Sequence, residues 1–226
     1  MEGLVQDVRY AARRLARTPG FTLVALVTLA LGIGANTAIF SVVHGVLLRP
    51  LPFQDPDRLY FLWSRHTSTD RYPIQLPEFC DYRDQNRTLE SVAGFGNWNP
   101  NLTGDGPAER VSGLRASGNL FATLGVEAAV GRTLAATDDT PGQEKVVVIT
   151  YGLWQRRFGG DPAIVGRPLI LNGEPFTLVG VMPREFFLPI RTAEVAIPLA
   201  PDRDPWRQNR TSTSFLRAIG RARAGV

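Results

Sequence analysis

The sequence predicts an α+β extracytoplasmic domain of mixed subdomains preceded by one transmembrane α-helix. Two observations carry this. Residues Phe21 to Leu48, FTLVALVTLALGIGANTAIFSVVHGVLL, run for 28 residues without Asp, Glu, Lys or Arg. As a helix rising 1.5 Å per residue the run is about 42 Å long, against a hydrocarbon core about 30 Å thick. Beyond it, short apolar runs that suit strands alternate irregularly with helical patterns, which argues for α+β rather than a regular βαβ repeat. The expected organisation is a cytoplasmic amphipathic segment over 1–20, a transmembrane helix over 21–48 and an outer domain over 49–226.

Taken in order, Val5–Ala16 (VQDVRYAARRLA) sets Val5, Val8, Ala12 and Leu15 at helical spacing with Arg between them, the pattern of a short helix lying on the inner leaflet. Thr18-Pro19-Gly20 then turns the chain, because Pro and Gly end helices. The apolar run has three readings: a cleaved signal, a buried core helix and an uncleaved span. Signal cores run about 7–15 residues. This one continues past its poor cleavage site, Ala35-Asn36-Thr37, through Ala38 to Val43, which favours the span. Arg9, Arg13, Arg14 and Arg17 precede it, whereas Arg49, Asp55 and Asp57 follow, so the positive-inside bias sets the N-terminus in the cytoplasm. At about 100° per residue, Gly34, Thr37, Ala38, Ser41 and Gly45 share one sector, with Ile33, Ile39, Phe40, Val43, Val46 and Leu47 roughly opposite. Small residues let helices approach closely in lipid, so this sector is the expected helix-packing face. The competing reading is that Gly and Ser are simply common in spans. Asn36 falls on the apolar side, and His44 reads as an interface residue near the outer end.

In the outer part, Pro50, Pro52 and Pro56 stiffen the exit from the membrane. Leu59–Ser64 suits a buried strand. Pro77–Asn86 suits a helix, with Cys80 expected half-buried in PEFCDYRDQ. Leu89–Phe95 is a strand, residues 97–109 are turn-rich, and Arg110–Ala116 is the returning strand of a hairpin. Ser117–Leu124 is expected to be a helix capped by Ser117, and Arg132–Gly142 a loop. Val146–Thr150 is an apolar strand and Tyr151–Phe158 a short helix stopped by Gly159-Gly160-Asp161-Pro162. Pro168–Leu171, Asn172-Gly173 and Pro175–Val181 form the strongest hairpin signal, because type I′ turns need positive φ. Thr213–Arg221 is the last strand. It has no following partner, and Arg221–Val226 carries no terminating signal, so the chain is expected to be cut short.

Composition excludes several functions. The whole chain carries a net charge of +4. Its basic residues neither cluster nor interleave with aromatics, so nucleic-acid binding is not expected. Cys80 is the only cysteine, which rules out an intrachain disulfide and a CxxC motif. The sole lysine, Lys145, is followed by Val146, so there is no G-x-x-x-x-G-K-[ST] phosphate loop. No G-x-S-x-G elbow occurs, and His44 and His66 fall in different compartments. No cofactor, metal site or catalytic residue is assigned, and the chain is not expected to be an enzyme. The acidic pairs Asp81/Asp84 and Asp138-Asp139 read as solvated charges. Trp63, Trp98, Trp154 and Trp206 could line a site for an apolar ligand, with Trp154 expected in the core and Trp98 packed against a loop.

Three blocks carry a family resemblance. Residues 7–53, DVRYAARRLARTPGFTLVALVTLALGIGANTAIFSVVHGVLLRPLPF, resemble the start of MacB/FtsX-type ABC transporter permeases, most of all the duplicated orphan permeases that lack their own ATPase. LPEFCDYRDQNRTLESVAGF (76–95) and VVVITYGLWQRRFGGDPAIVGRPLILNGEPFTLVGVMP (146–183) resemble the MacB-like periplasmic core domain. The resemblance implies a bacterial inner-membrane protein with a periplasmic domain over 49–226, truncated at its C-terminus and missing three later helices. It implies mechanical coupling, in which ATP binding in a partner subunit moves the helices and the periplasmic domain transmits the motion for efflux or extrusion. The implied partners are the lipid bilayer, the remaining permease helices or a second permease copy, and an ABC ATPase subunit. The alternative is a single-span extracytoplasmic binding or scaffold protein; an extracytoplasmic hydrolase has no residue constellation to support it.

Overall fold

The computed structural model describes residues 2–43, 53–66, 69–140, 142–143, 145–190, 192–201, 204–209 and 215–225. The chain divides into two compact units, Met1–Leu51 and Pro52–Val226.

Among its described residues, the first unit holds two helices, α1 (Glu2–Arg17) and α2 (Pro19–Val43). They are interrupted only at Thr18, so the apolar helix begins two residues before the expected Phe21. The break has a chemical cause. Pro19 lacks the N–H that would have bonded the Leu15 carbonyl, and that carbonyl instead accepts from the Thr18 N–H at 3.2 Å and the Thr22 hydroxyl at 2.7 Å. Residues Pro19–Ser41 contain an 18-residue window of mean hydropathy 2.0 and are long and apolar enough to cross a membrane. The expected end of the span at Leu48, together with His44, Gly45, Pro50 and Pro52, lies outside the described residues.

The second unit runs β1 (Leu59–Leu62), β2 (Ser64–His66), β3 (Thr69–Tyr72), α3 (Leu76–Gln85), β4 (Leu89–Trp98), β5 (Asn101–Thr103), β6 (Glu109–Arg110), β7 (Gly113–Ala116), α4 (Leu120–Leu124), β8 (Val130–Gly131), β9 (Val146–Ile149), α5 (Tyr151–Phe158), β10 (Pro168–Leu171), β11 (Glu174–Val181), β12 (Val195–Pro198) and β13 (Arg217–Ala222). Among the described residues, eleven strands form one mixed sheet in the order β1-β13-β4-β7-β12-β9-β11-β10-β5-β6, with β8 on β11. The β7–β12 and β9–β11 pairs are parallel. Strands β2 and β3 pair separately.

Strand alternation sorts the core into two faces. Ala93 and Phe95 of β4, Leu114 and Ala116 of β7, Val148 of β9 and Ala196 of β12 lie on one face, under Leu120, Phe121 and Leu124 of α4. Their neighbours in sequence point the other way. Val147, Ile149, Val195 and Ile197 pack with Leu153 and Trp154 of α5. Val92 and Ala218 pack with Phe79 and Cys80 of α3. The sheet is therefore covered on both sides, and α3 and α5 share a face opposite α4.

Several expectations need correction. Cys80 is fully buried, at 1% exposure, rather than half-buried. Ser117 does not cap α4. Asn119 holds the N-cap position, and the Ser117 hydroxyl accepts from the Gly94 N–H at 3.0 Å and donates to Asn119 Oδ1 at 2.7 Å. The 97–109 stretch contains β5 and the first residue of β6. The last strand begins at Arg217, with residues 213–214 outside the described set, and both its partners precede it: β1 and β4 flank it antiparallel. Helix α5 spans the expected residues, starting where the Thr150 hydroxyl accepts from the Leu153 N–H and ending at Gly159 with φ 61°. The β10–β11 turn has Asn172 at φ 52° and Gly173 at φ 81°, the positive pair a type I′ turn needs.

Candidate functional site

The expected packing face lies on α2. Gly34, Thr37, Ala38 and Ser41 are helical and exposed, and Gly45 falls outside the described residues. A Cβ built on Gly34 would meet nothing within 4 Å, so the backbone there is open to a neighbour. Two hydroxyls of the helix are satisfied within it. Ser41 Oγ donates to the Thr37 carbonyl and Thr28 Oγ1 to the Val24 carbonyl, each at 2.8 Å. Polar groups bonded in this way can sit in hydrocarbon without an outside partner.

In the second unit, residues 54–58 are tied to α4 and to β13, the strand beside the β1 edge of the sheet. The Gln54 N–H donates to the Leu124 carbonyl at 3.1 Å, and the Gln54 carbonyl accepts from Arg221 Nη2 at 2.7 Å. Arg221 is buried, and its Nε donates to the Thr123 carbonyl at 2.8 Å. Four residues on, Arg58 donates twice to the Ala222 carbonyl, at 3.0 and 2.6 Å, and pairs with Glu90. Residues 54–58 are thus bonded to both α4 and β13. Local sequence gave no sign of this, because the two arginines lie at opposite ends of the domain.

The acidic pair Asp138-Asp139 is not a pair of freely solvated charges: Asp138 is buried and Asp139 half-buried. Asp138 is 5% exposed, takes both terminal nitrogens of Arg132 at 2.7 and 2.9 Å, and accepts from the Ala135 N–H at 2.8 Å. Asp139 accepts from the Gly118 N–H at 2.7 Å and the Ala200 N–H at 2.9 Å. Burial pushes its carboxyl up from the ordinary value, with those two bonds acting in the opposite sense. Together they pin the loops after β7, β8 and β12. By contrast Asp84 is exposed on α3, where its bond from Arg83 holds the carboxyl below the ordinary range. Asp81 is half-buried and accepts from Gln85.

The tryptophans do not form one site. Trp154 is in the core and donates to the Asp161 carbonyl at 2.9 Å. Trp98 packs at the edge of the same cluster, tilted against Phe176. Trp63 stacks on exposed Phe61 at 5.9 Å. The side chain of Trp206 lies outside the described residues. Among the described residues no group of three or more His, Cys, Asp or Glu could hold a metal ion.

Residues 22–224 match the family described as the MacB-like periplasmic core domain. None of the curated proteins matches the chain. A domain from Porphyromonas gingivalis assigned to a permease protein is 18% identical, with a TM-score of 0.60 over 77% of this chain and 79% of that one. The periplasmic region of MacB from Actinobacillus actinomycetemcomitans is 16% identical, with a TM-score of 0.55 over 74% and 75%. The extracellular domain of the noncanonic ABC-type transporter YknZ from Gram-positive bacteria is 12% identical, with a TM-score of 0.52 over 74% and 83%. At these identities the structural likeness speaks for the fold.

Proposed function

Because the chain belongs to the MacB-like periplasmic core domain family, we propose that it serves as the first membrane helix and periplasmic domain of an ABC-type permease, transmitting conformational change for efflux or extrusion. The observation that carries this is the extent of the match. It runs from residue 22 to 224, through the apolar helix and the mixed sheet alike. In this reading α2 spans the bacterial inner membrane with the N-terminus in the cytoplasm, and residues 49–226 are periplasmic. Lys145-Val146 supplies no phosphate loop, so ATP hydrolysis falls to a separate ABC ATPase subunit.

The route for motion is the strap at residues 54–58. A displacement of the chain before Gln54 pulls on the Leu124 carbonyl and on Arg221, and Arg58 carries it to Ala222. Strand β13 is bonded to β1 on one side and β4 on the other. Packed interiors have low compressibility and transmit strain, so the sheet moves as a body. In the membrane, Gly34, Thr37, Ala38 and Ser41, with Gly45, form the face for the remaining permease helices or a second permease copy.

The test is recovery of the complex. The full chain, tagged and purified from its native membrane after chemical crosslinking, is expected to bring down an ABC ATPase and further membrane-spanning permease segments. Replacing Gly34 and Ala38 by Leu is expected to lower recovery of those segments, as side-chain bulk separates the helices. A chain that purifies with neither, under crosslinking, counts against the permease role.

A further inference from the structure

We propose that the β1 edge of the sheet pairs antiparallel with the same edge of a second copy of this chain, centred on Phe61. The sheet ends on β1 at one side and on β6 at the other. A free edge is a template for another strand, and natural sheets blunt it with short strands, charges, Pro or bulges. Strand β6 is blunted, being only Glu109 and Arg110. Strand β1 carries none of these devices. Leu59-Tyr60-Phe61-Leu62-Trp63 is an uncharged run, and its ladder to β13 is regular from Leu59 to Leu62. Among the described residues β1 pairs only with β13, so alternate N–H and C=O groups of β1 point away from the sheet.

Both faces of this edge are apolar and open. Tyr60 and Phe61 are 54% and 53% exposed, and Trp63 is 36% exposed. Phe61 stacks on Trp63 at 5.9 Å and meets Phe95 edge-on at 6.5 Å, on the face under α4. Tyr60 alternates to the other face. Among the described residues of the second unit, every exposed large apolar side chain is an aromatic between Tyr60 and Tyr82. Apolar exposure concentrated in this way marks an interaction surface. A second copy of β1 meets it with the same alternation. Phe61 then faces Phe61, Leu59 faces Trp63 and Tyr60 faces Leu62, cross-strand pairs of the stabilising aromatic kind.

Charge selects a second copy as the occupant. Asp57, exposed in the turn before β1, lies two residues before Leu59, and Arg65 lies two residues after Trp63. Antiparallel copies centred on Phe61 therefore set Asp57 of each beside Arg65 of the other, whereas parallel copies set like on like. Arg65 is available for this. Its bond to Asp70, at 3.0 Å, joins side chains 86% and 80% exposed, and such surface pairs are weak. Arg58 is already held by the Ala222 carbonyl and Glu90. Two edges of five residues bury less than the roughly 1,200 Å² of a standard interface. Confinement of both copies to one membrane supplies the local concentration that makes up the difference, a step that rests on the reading of α2 as a membrane anchor.

The test uses the full chain in vesicles of phosphatidylethanolamine and phosphatidylglycerol. Cys80 is the only native cysteine and is buried, so an introduced thiol reacts alone. A residue forms a disulfide with its own copy only beside a two-fold axis, because the Cα atoms must lie within about 7 Å. Phe61→Cys is therefore expected to give a disulfide-linked dimer on mild oxidation. Trp63→Cys, about 14 Å from its own copy in this register, is expected not to. In the Phe61→Cys chain, Asp57→Arg or Arg65→Asp alone should lower the dimer yield by about threefold or more, and the two together should restore it. Rescue by the double reversal cannot come from an unfolded chain. Equal yields from Phe61→Cys and Trp63→Cys, or no dimer from a chain that floats with the vesicles, would overturn the pairing alone. A chain that does not float overturns the anchor, and the pairing with it. In native membranes, a Phe61→Cys adduct to a different protein in place of the dimer would assign the edge to that protein and overturn the second copy.

Discussion

At the scale of single residues, Asp139 shows how a surface-like sequence hides a structural charge. Asp138-Asp139 sits among Thr and Gly, in a segment that looks like any polar loop. Its burial comes from Gly118 and Ala200, which no local pattern links to it. The two oxygens accept from two different N–H donors, so Asp139→Asn would turn an NH₂ toward one of them. The expected cost at neutral pH is about 1–3 kcal/mol, the usual penalty for an unsatisfied buried group, read from denaturant unfolding of the full chain in detergent. The pH dependence has a definite sign. Burial raises the folded carboxyl above its unfolded value, so between the two the folded state holds the proton that the unfolded state has lost. Asp139 therefore favours the fold below its unfolded pKa, and that contribution is lost as pH rises through the folded pKa. In Asp139→Asn this downward component should disappear from the stability profile; an unchanged profile would mean that Asp139 titrates as though solvated.

At the scale of elements, what local chemistry determines was legible and what distant pairing determines was not. Helix α5 and the β10–β11 hairpin carry their own stop signals, Gly159 and Asn172-Gly173, and they form where those signals fall. Strand β12 has no such punctuation. Val195–Pro198 is a fully buried run of four lying between β7 and β9, and it has no polar alternation to betray it. Strand β13 looked partnerless because both neighbours, β1 and β4, come much earlier in the chain. The packing of α3 on β4 gives a test of element-level fit. Gly94 faces α3, and a Cβ there would lie 2.8 Å from the Phe79 ring. Gly94→Ala should cost about 1–3 kcal/mol through overpacking. Pairing it with Phe79→Leu, which shortens the ring side, should return part of that loss, and the two changes should be non-additive in a double-mutant cycle. Strict additivity would mean that helix and strand do not press on one another at this point.

At the scale of the whole molecule, the 28-residue run was legible from length alone, but its function depends on direction. The candidate face Gly34, Thr37, Ala38 and Ser41 was readable as a sector of a helix, but the run does not name a partner for it. Direction is set by charge. Arg9, Arg13, Arg14 and Arg17 all lie on α1, within one short segment before Pro19. Arg49 follows the run, with Asp55 and Asp57 close behind. Positive residues near a span are retained in the cytoplasm, whereas acidic residues contribute little to orientation, so within twelve residues of the run the contrast is four arginines against two, Arg49 and Arg58. Alkaline phosphatase joined after Tyr60 is therefore expected to be active, and green fluorescent protein joined at the same point dark. Replacing the four arginines of α1 by Gln reverses the asymmetry and leaves Arg49 and Arg58 as the nearest basic side chains. A substantial fraction of chains should then insert in the reverse sense, with fluorescence appearing and phosphatase activity falling together. Bright fluorescence after Tyr60 in the unaltered chain would put the mixed sheet in the cytoplasm, and a sheet on that side could not carry motion to the periplasm.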